Sequence, residues 1–241
     1  MATEIFPVVH ILQEQKAVEQ AQLALSHGAD GVYLIDHASG GFTDHVFGVF
    51  DQLAHAEPDA RIGMNLLGLM PYTALREIAS AVRTRAIPRA PDMVWVDSIF
   101  QGRAGERTRD AWEYKQAEGL IRPTQLLGGV AFKYTDQYTS KPVEAAKEAL
   151  MLHTMLDVIT TSGSSTGSAP SVEKIRAMKA VADRVGKPLA VASGISLENI
   201  TEYDGLIDQV LMATSIETRK GSGEFDEKRL RDSIQATHEL S

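Results

Sequence analysis

The stretch Asp157-Val-Ile-Thr-Thr-Ser-Gly-Ser-Ser-Thr-Gly-Ser-Ala-Pro-Ser171 decides how the chain is read. An apolar strand stops in a run of Gly, Ser and Thr, then restarts as a helix behind Pro170 and Ser171. That composition suits an anion cradle. Small residues admit backbone N–H groups to a phosphate, hydroxyls add hydrogen bonds, and the helix N-terminus supplies partial positive charge.

Working outward from it, a short apolar run followed by an amphipathic stretch recurs along the whole chain. The apolar runs cover residues 5–12, 31–36, 61–67, 93–97, 125–133, 157–161, 188–192 and 209–213. The helical patterns after them cover 14–27, 44–55, 71–82, 108–119, 143–154, 172–185, 197–203 and 226–238, with Gly28 ending the first and Pro71 and Pro142 opening others. Strands of buried type, each followed by a helix and with no break in composition, predict an α/β fold: one (β/α)8 TIM barrel spanning residues 1–241. The rival, an open doubly wound sheet, calls for a Gly-rich turn after the first strand, where this chain reads His10-Ile-Leu-Gln-Glu-Gln15.

Composition narrows the function. The chain has 241 residues, 44% of them hydrophobic, enough for a sizeable core. Its formal net charge of −8 argues against a broad nucleic-acid surface, which needs clustered Lys and Arg. With no cysteine there is no disulfide framework, thiolate nucleophile or Cys-based zinc site, and a cytoplasmic location fits. The first residues lack the character of a signal peptide, and no apolar run approaches the roughly 20 residues of a transmembrane segment.

A barrel of this kind carries its chemistry at the C-terminal ends of the strands. Read in order, those ends are His10; Asp36 and His37; Asn65; Asp97; Lys133; Thr160, Thr161 and Ser162; Ser193 and Gly194; Thr214 and Ser215. The loops after strands six, seven and eight, with Gly163, Thr166 and Gly167 in the first of them, are small and rich in hydroxyls. Together they predict a phosphate site, against the plainer reading that Gly and Ser here only make tight turns between strands and helices. Lys133, read as the end of strand five, can neutralise a phosphate, polarise a carbonyl or form a Schiff base; it can equally reach solvent or pair with Asp97 or Asp136. Asp36 and Asp97 can serve as general bases, bind sugar hydroxyls or hold a divalent cation with His10 or His37, although no compact metal motif is present. Residues 217–224 form a polar loop from which Arg219 or Lys220 can reach a bound phosphate, or which stays a solvated surface.

The second half resembles the BtpA family on Val130-Ala-Phe-Lys133, the 157–167 stretch, Ala192-Ser-Gly-Ile-Ser-Leu-Glu-Asn199 and Ala213-Thr-Ser-Ile216. The resemblance is good over residues 125–238. Towards the N-terminus Val8-Val-His-Ile-Leu12 and Gly28-Ala-Asp-Gly-Val32 fit as well. It implies a barrel of the ribulose-phosphate-binding type. The chain departs from the family at Gln13-Glu-Gln-Lys16, where a Pro-Leu-Pro-Gly segment is usual, and at Asp36-His-Ala-Ser-Gly-Gly-Phe42, where an Glu-Asn-containing loop is usual. Both lie on the half of the mouth that selects the substrate body.

The expectation is therefore an enzyme that anchors a sugar phosphate or nucleotide on the loops after strands six to eight. Lys133, Asp97 and Asp36 are the candidate catalytic groups, with His10 and Asn65 completing the pocket. Isomerisation, aldol-type cleavage and glycosidic-bond chemistry all suit this set. Two other readings stay open: a non-catalytic assembly or stability factor, as the family's link to photosystem I biogenesis implies, and a flavin mononucleotide site at the same loops. Barrels often pair through their helices, but no homo-oligomer interface is readable in the sequence.

Overall fold

The computed structural model describes residues 2–37, 43–99 and 108–240. Strands and helices alternate: β1 (Glu4–His10), α1 (Glu14–Ser26), β2 (Val32–Ile35), α2 (Thr43–Ala56), β3 (Ile62–Asn65), α3 (Pro71–Thr84), β4 (Met93–Val96) and α4 (Thr108–Ala117). The second half continues with β5 (Gln125–Gly129), α5 (Pro142–Leu152), β6 (Val158–Thr161), α6 (Val172–Val185), β7 (Leu189–Ala192), β8 (Gln209–Met212) and α7 (Glu227–His238). Each strand pairs in parallel with the next, and β8 returns to pair with β1, so the sheet is a closed (β/α)8 barrel.

Two cores result from closure. Outward side chains such as Val9, Leu34, Met64 and Val94 pack beneath the helices. Inward side chains fill the barrel itself: Phe6 and Val8, Tyr33 and Ile35, Met93 and Trp95, Leu127, Val158, Ala190 and Ala192, and Leu211. Tyr33 stacks edge-on against both Phe6 (5.8 Å between ring centres) and Trp95 (6.3 Å), and Trp95 meets Phe132 at 5.9 Å. The interior is a packed aromatic and aliphatic column closed below the mouth.

The opposite, N-terminal end of the barrel repeats one device four times. Asp30, Asp92, Asp157 and Asp208 precede the even-numbered strands, and each accepts the backbone N–H of the strand before: Ile5, Ile62, Leu126 and Leu189, at 2.8–2.9 Å. Each carboxylate also takes a basic side chain as partner: His238 (2.9 Å), Arg89 (2.8 Å), Lys115 (3.0 Å) and Lys179 (2.8 Å). Asp157, the first residue of the opening stretch, thus fastens the barrel's base, while the rest of that stretch reaches the mouth.

Three expectations are corrected. Strand five ends at Gly129, so Lys133 stands on a loop; Ala131 (φ 48°) and Tyr134 (φ 61°) turn that loop through left-handed backbone. The helix expected at 197–203 is only a 3-10 turn at Ile200–Tyr203, because Asn199 accepts the Ser196 N–H through its side chain (2.9 Å) and spends the start of that segment in a tight turn. Strand one begins earlier and stops at His10. The Gly-rich part of the strand-two loop (38–42) and most of the connection after strand four (100–107) lie outside the described residues. Among the described residues no helix is long and apolar enough to cross a membrane.

Candidate functional site

The two-residue period of a strand decides which strand-end residues reach the mouth. Phe6 and Val8 point inward, so His10 follows in phase; Tyr33 and Ile35 carry His37 inward; Met93 and Trp95 carry Asp97. All three line a cavity of about 830 Å³ at the C-terminal end of the barrel. Asp36 is one residue out of phase with that set. It is buried, and its carboxylate meets His45 Nδ1 at the start of α2 at 3.1 Å.

Asn65 is in phase but lies deeper, where its Nδ2 donates to Asp97 Oδ1 at 3.1 Å. Close packing fixes the same corner: a Cβ on Gly129 would fall 1.8 Å from the Asp97 carbonyl oxygen, so β5 passes β4 only because Gly129 has no side chain. Asp97 is therefore held by one oxygen at the rim of an otherwise apolar floor of Val8, Ile35, Trp95 and Leu211.

The other wall is built from backbone. After β7, Ser193 (φ 112°) and Gly194 (φ 79°) turn the chain, and a Cβ on Gly194 would sit 2.1 Å from the Ala169 nitrogen. Asn199 fastens this turn by donating from Nδ2 to the Gly194 carbonyl at 2.8 Å. Ser215 Oγ donates to the Ile195 carbonyl at 2.8 Å, which ties the loop after β8 to the loop after β7. The backbone N–H groups of Gly194, Ile195, Thr214 and Ser215 donate to no acceptor among the described residues. All four residues line the cavity, as does Ser193. Main-chain donors left unpaired against a cavity seek an acceptor from outside.

The loop after β6 divides. Thr166 and Gly167 line the cavity, and the Gly167 N–H donates to Ser193 Oγ at 3.0 Å. Thr161, Ser162 and Gly163 lie beneath. The Thr161 hydroxyl is buried without a partner among the described residues, Ser162 Oγ accepts the Lys133 N–H at 2.9 Å, and Gly163 packs against the Ser168 carbonyl.

Lys133 enters the cavity beside these loops, with Nζ 3.4 Å from Thr166 Oγ1. Burial lowers its pKa below the usual lysine value of 10.5; Tyr134 and the Asp97 carboxylate oppose that shift, and Lys220 adds to it. His37 is likewise lowered from 6.5, first by burial and then by the charge of His10, whose ring it meets edge-on at 5.1 Å. His10 Nδ1 lies 2.8 Å from Glu217 Oε1. Burial would raise the Glu217 carboxyl, yet the His10 contact and the N–H groups of Gly221 and Gly223 hold it below 4.5. This pairing draws the 217–225 loop over the cavity, so that Lys220 and Gly221 join its lining.

Of the residues singled out from sequence, the cavity gathers His10, His37, Asp97, Lys133, Thr166, Gly167, Ser193, Gly194, Thr214, Ser215 and Lys220. Asp36, Asn65, Thr161, Ser162 and Gly163 stand outside its lining. Sequence reasoning passed over Glu217, Asn199 and Lys174 as individual groups. Lys174 carried a readable signal: it sits beside Ile175 and one turn before Met178 on the buried face of α6. Among the described residues no group of three or more His, Asp or Glu is arranged to hold a metal ion.

Fold and site define a (β/α)8 barrel whose mouth offers main-chain donors without an acceptor among the described residues, together with lysine ammonium groups. The chain belongs to the BtpA family, whose sequence profile matches residues 54–239. No curated protein matches it. Among solved structures it is similar to phosphoribosylanthranilate isomerase from Thermotoga maritima, at 12% identity and a TM-score of 0.63, covering 99% of this chain and 100% of that one. It is also similar to thiamine phosphate pyrophosphorylase from Pyrococcus furiosus, at 16% identity and a TM-score of 0.61 (98% and 95% covered). A third is (S)-3-O-geranylgeranylglyceryl phosphate synthase from Thermoplasma acidophilum in complex with its substrate sn-glycerol-1-phosphate, at 10% identity and a TM-score of 0.68 (99% and 94% covered). At these identities the likeness is one of fold.

Proposed function

We propose that this protein is an enzyme that binds a phosphorylated small molecule, a sugar phosphate or a nucleotide, in the barrel mouth. The observation that carries the reading is the set of unpaired amides of Gly194, Ile195, Thr214 and Ser215 on adjoining loops of one cavity. A phosphate monoester supplies the oxygens such donors lack, and its negative charge suits backbone dipoles better than any neutral ligand does. The solved structures of similar fold include one holding a glycerol phosphate, which agrees with this choice of anion.

The remainder of the ligand extends over the apolar floor towards Lys133 and Asp97. Asp97 has one oxygen committed to Asn65. The other accepts no hydrogen bond among the described residues and can take a hydroxyl hydrogen or a proton of the ligand, while the Lys133 ammonium neutralises or polarises an oxygen of the ligand. His37, whose protonated form its burial disfavours, adds an imidazole on the same rim. Proton transfer within a phosphorylated carbon skeleton is the chemistry this set performs most directly.

Titration with ribose 5-phosphate, adenosine monophosphate and inorganic phosphate tests the reading by calorimetry. Saturable binding of at least one ester, weakened in Lys133→Ala, is expected. No heat from any of them overturns the phosphate assignment.

A further inference from the structure

Lys174 lies on α6, outside the cavity, and its side chain is almost completely buried. Its Nζ donates to the Ala131 carbonyl at 2.8 Å and to the Ser162 carbonyl at 2.9 Å. The ring of Tyr138 lies beneath the same ammonium, 5.1 Å from its centre. Glu148 of α5 completes the arrangement by accepting the Ala131 N–H at 3.0 Å. Both polar groups of Ala131 are therefore held by side chains from two different helices.

That residue is the one whose backbone turns left-handed (φ 48°), and Lys133 follows two positions later. A left-handed alanine costs about 1 kcal/mol, so the turn persists only where its surroundings dictate it. The Ser162 carbonyl belongs to the residue whose Oγ accepts the Lys133 N–H at 2.9 Å. One ammonium thus spans the loop that carries Lys133 and the loop that supports it.

We infer that Lys174, with Glu148, is the positioning device that sets the 130–134 turn and directs the Lys133 amine into the cavity. The inference rests on Lys133 being the working amine of the proposed site, but the geometry of the turn does not depend on what the cavity binds. An apolar hydrocarbon would fill the α6 face as well as Lys174 does, without burying an ammonium. A helix-stabilising role would need no contact with two loop carbonyls at the mouth. Burial presses Lys174 down to about 8 while the Glu148 carboxylate opposes that fall. Such a group sits in a costly place and is matched by specific partners there.

The test is competitive labelling of the intact folded protein with an amine-acylating reagent, without ligand, read residue by residue by mass spectrometry across pH. Exposed Lys147 on α5 serves as the internal reference. In Lys174→Met the Lys133-to-Lys147 labelling ratio below pH 10 should fall several-fold, as Lys133 leaves its half-buried position and returns to ordinary lysine behaviour. Glu148→Gln, a milder change at a partly exposed site, should shift the ratio in the same direction by less. An unchanged ratio and pH profile in both variants, even with a lowered melting temperature, would mean a purely structural lysine and would overturn the inference. Calorimetry on the wild type separates the two ideas. If no phosphate ester binds while labelling still responds to Lys174→Met, the phosphate reading falls and the positioning role stands.

Discussion

His10 Nδ1 and Glu217 Oε1 lie 2.8 Å apart, joining the end of the first strand to the loop that follows the last. This contact ties two parts of the mouth together, and it bears on stability in acid through Glu217. Glu217 is held below its usual pKa of 4.5, so its stabilising contribution is present above that value and is lost as pH falls through the lower folded-state pKa. His37 is lowered from 6.5; between its folded pKa and 6.5 the unfolded chain binds the proton and the folded one does not. Stability therefore rises with pH across that interval and falls as pH drops below 6.5. Melting temperatures measured from pH 4 to pH 8 should decline below 6.5, with a shallower decline in His37→Asn and a weaker loss below 4.5 in Glu217→Gln.

The base of the barrel gives a ranked prediction. Asp157→Ala removes the acceptor of the Leu126 N–H and takes the counter-charge from Lys115, whose side chain is 3% exposed and keeps only the Arg122 carbonyl (3.2 Å) as a hydrogen-bond acceptor. The cost should be about 2–4 kcal/mol. Asp30→Ala leaves a more exposed partner, His238, and should cost about 1–2 kcal/mol. Urea denaturation of both variants checks the order, and ligand binding at the far end should be unchanged in each.

Gly194→Ala should damage the site more than the fold. The substituted residue must hold φ near 79° with its Cβ against Ala169, at a cost of about 1–3 kcal/mol or a displaced loop. Phosphate-ester affinity should be lost while far-ultraviolet circular dichroism keeps the barrel signature.

Affinity should also depend on alkali. The protonated form of Lys133 attracts the anion, and burial places its pKa below 10.5. Binding should weaken as pH rises through that lowered pKa, and Lys133→Met should bind weakly at all pH values with no such step. Calorimetric titration at stepped pH measures both.

How much of this was readable beforehand depends on what each residue's neighbours reveal. The barrel was legible because every strand-and-helix unit has its own apolar period, and the loops after β7 and β8 were legible because Ser193-Gly194 and Thr214-Ser215 follow uninterrupted apolar strands. The choice between Asp36 and His37 was not. Val32-Tyr-Leu-Ile35 is buried on both faces, so the run has no polar alternation from which to take the phase. Only the closed sheet fixes which of the two faces the cavity. Lys133 looked like a strand end because Val130, Ala131 and Phe132 are apolar, and the left-handed turn at Ala131 is imposed by Glu148 and Lys174, which lie 17 and 43 positions away in sequence. Contacts of that range leave no local pattern.

The most direct test of the central claim is an amide nitrogen–proton correlation spectrum of the protein titrated with ribose 5-phosphate and, separately, adenosine monophosphate. The Gly194, Ile195, Thr214 and Ser215 amides are expected to shift together and saturate with one dissociation constant for at least one ester. If those four signals stay in place while others move, or if nothing moves at all, the phosphate site is not there.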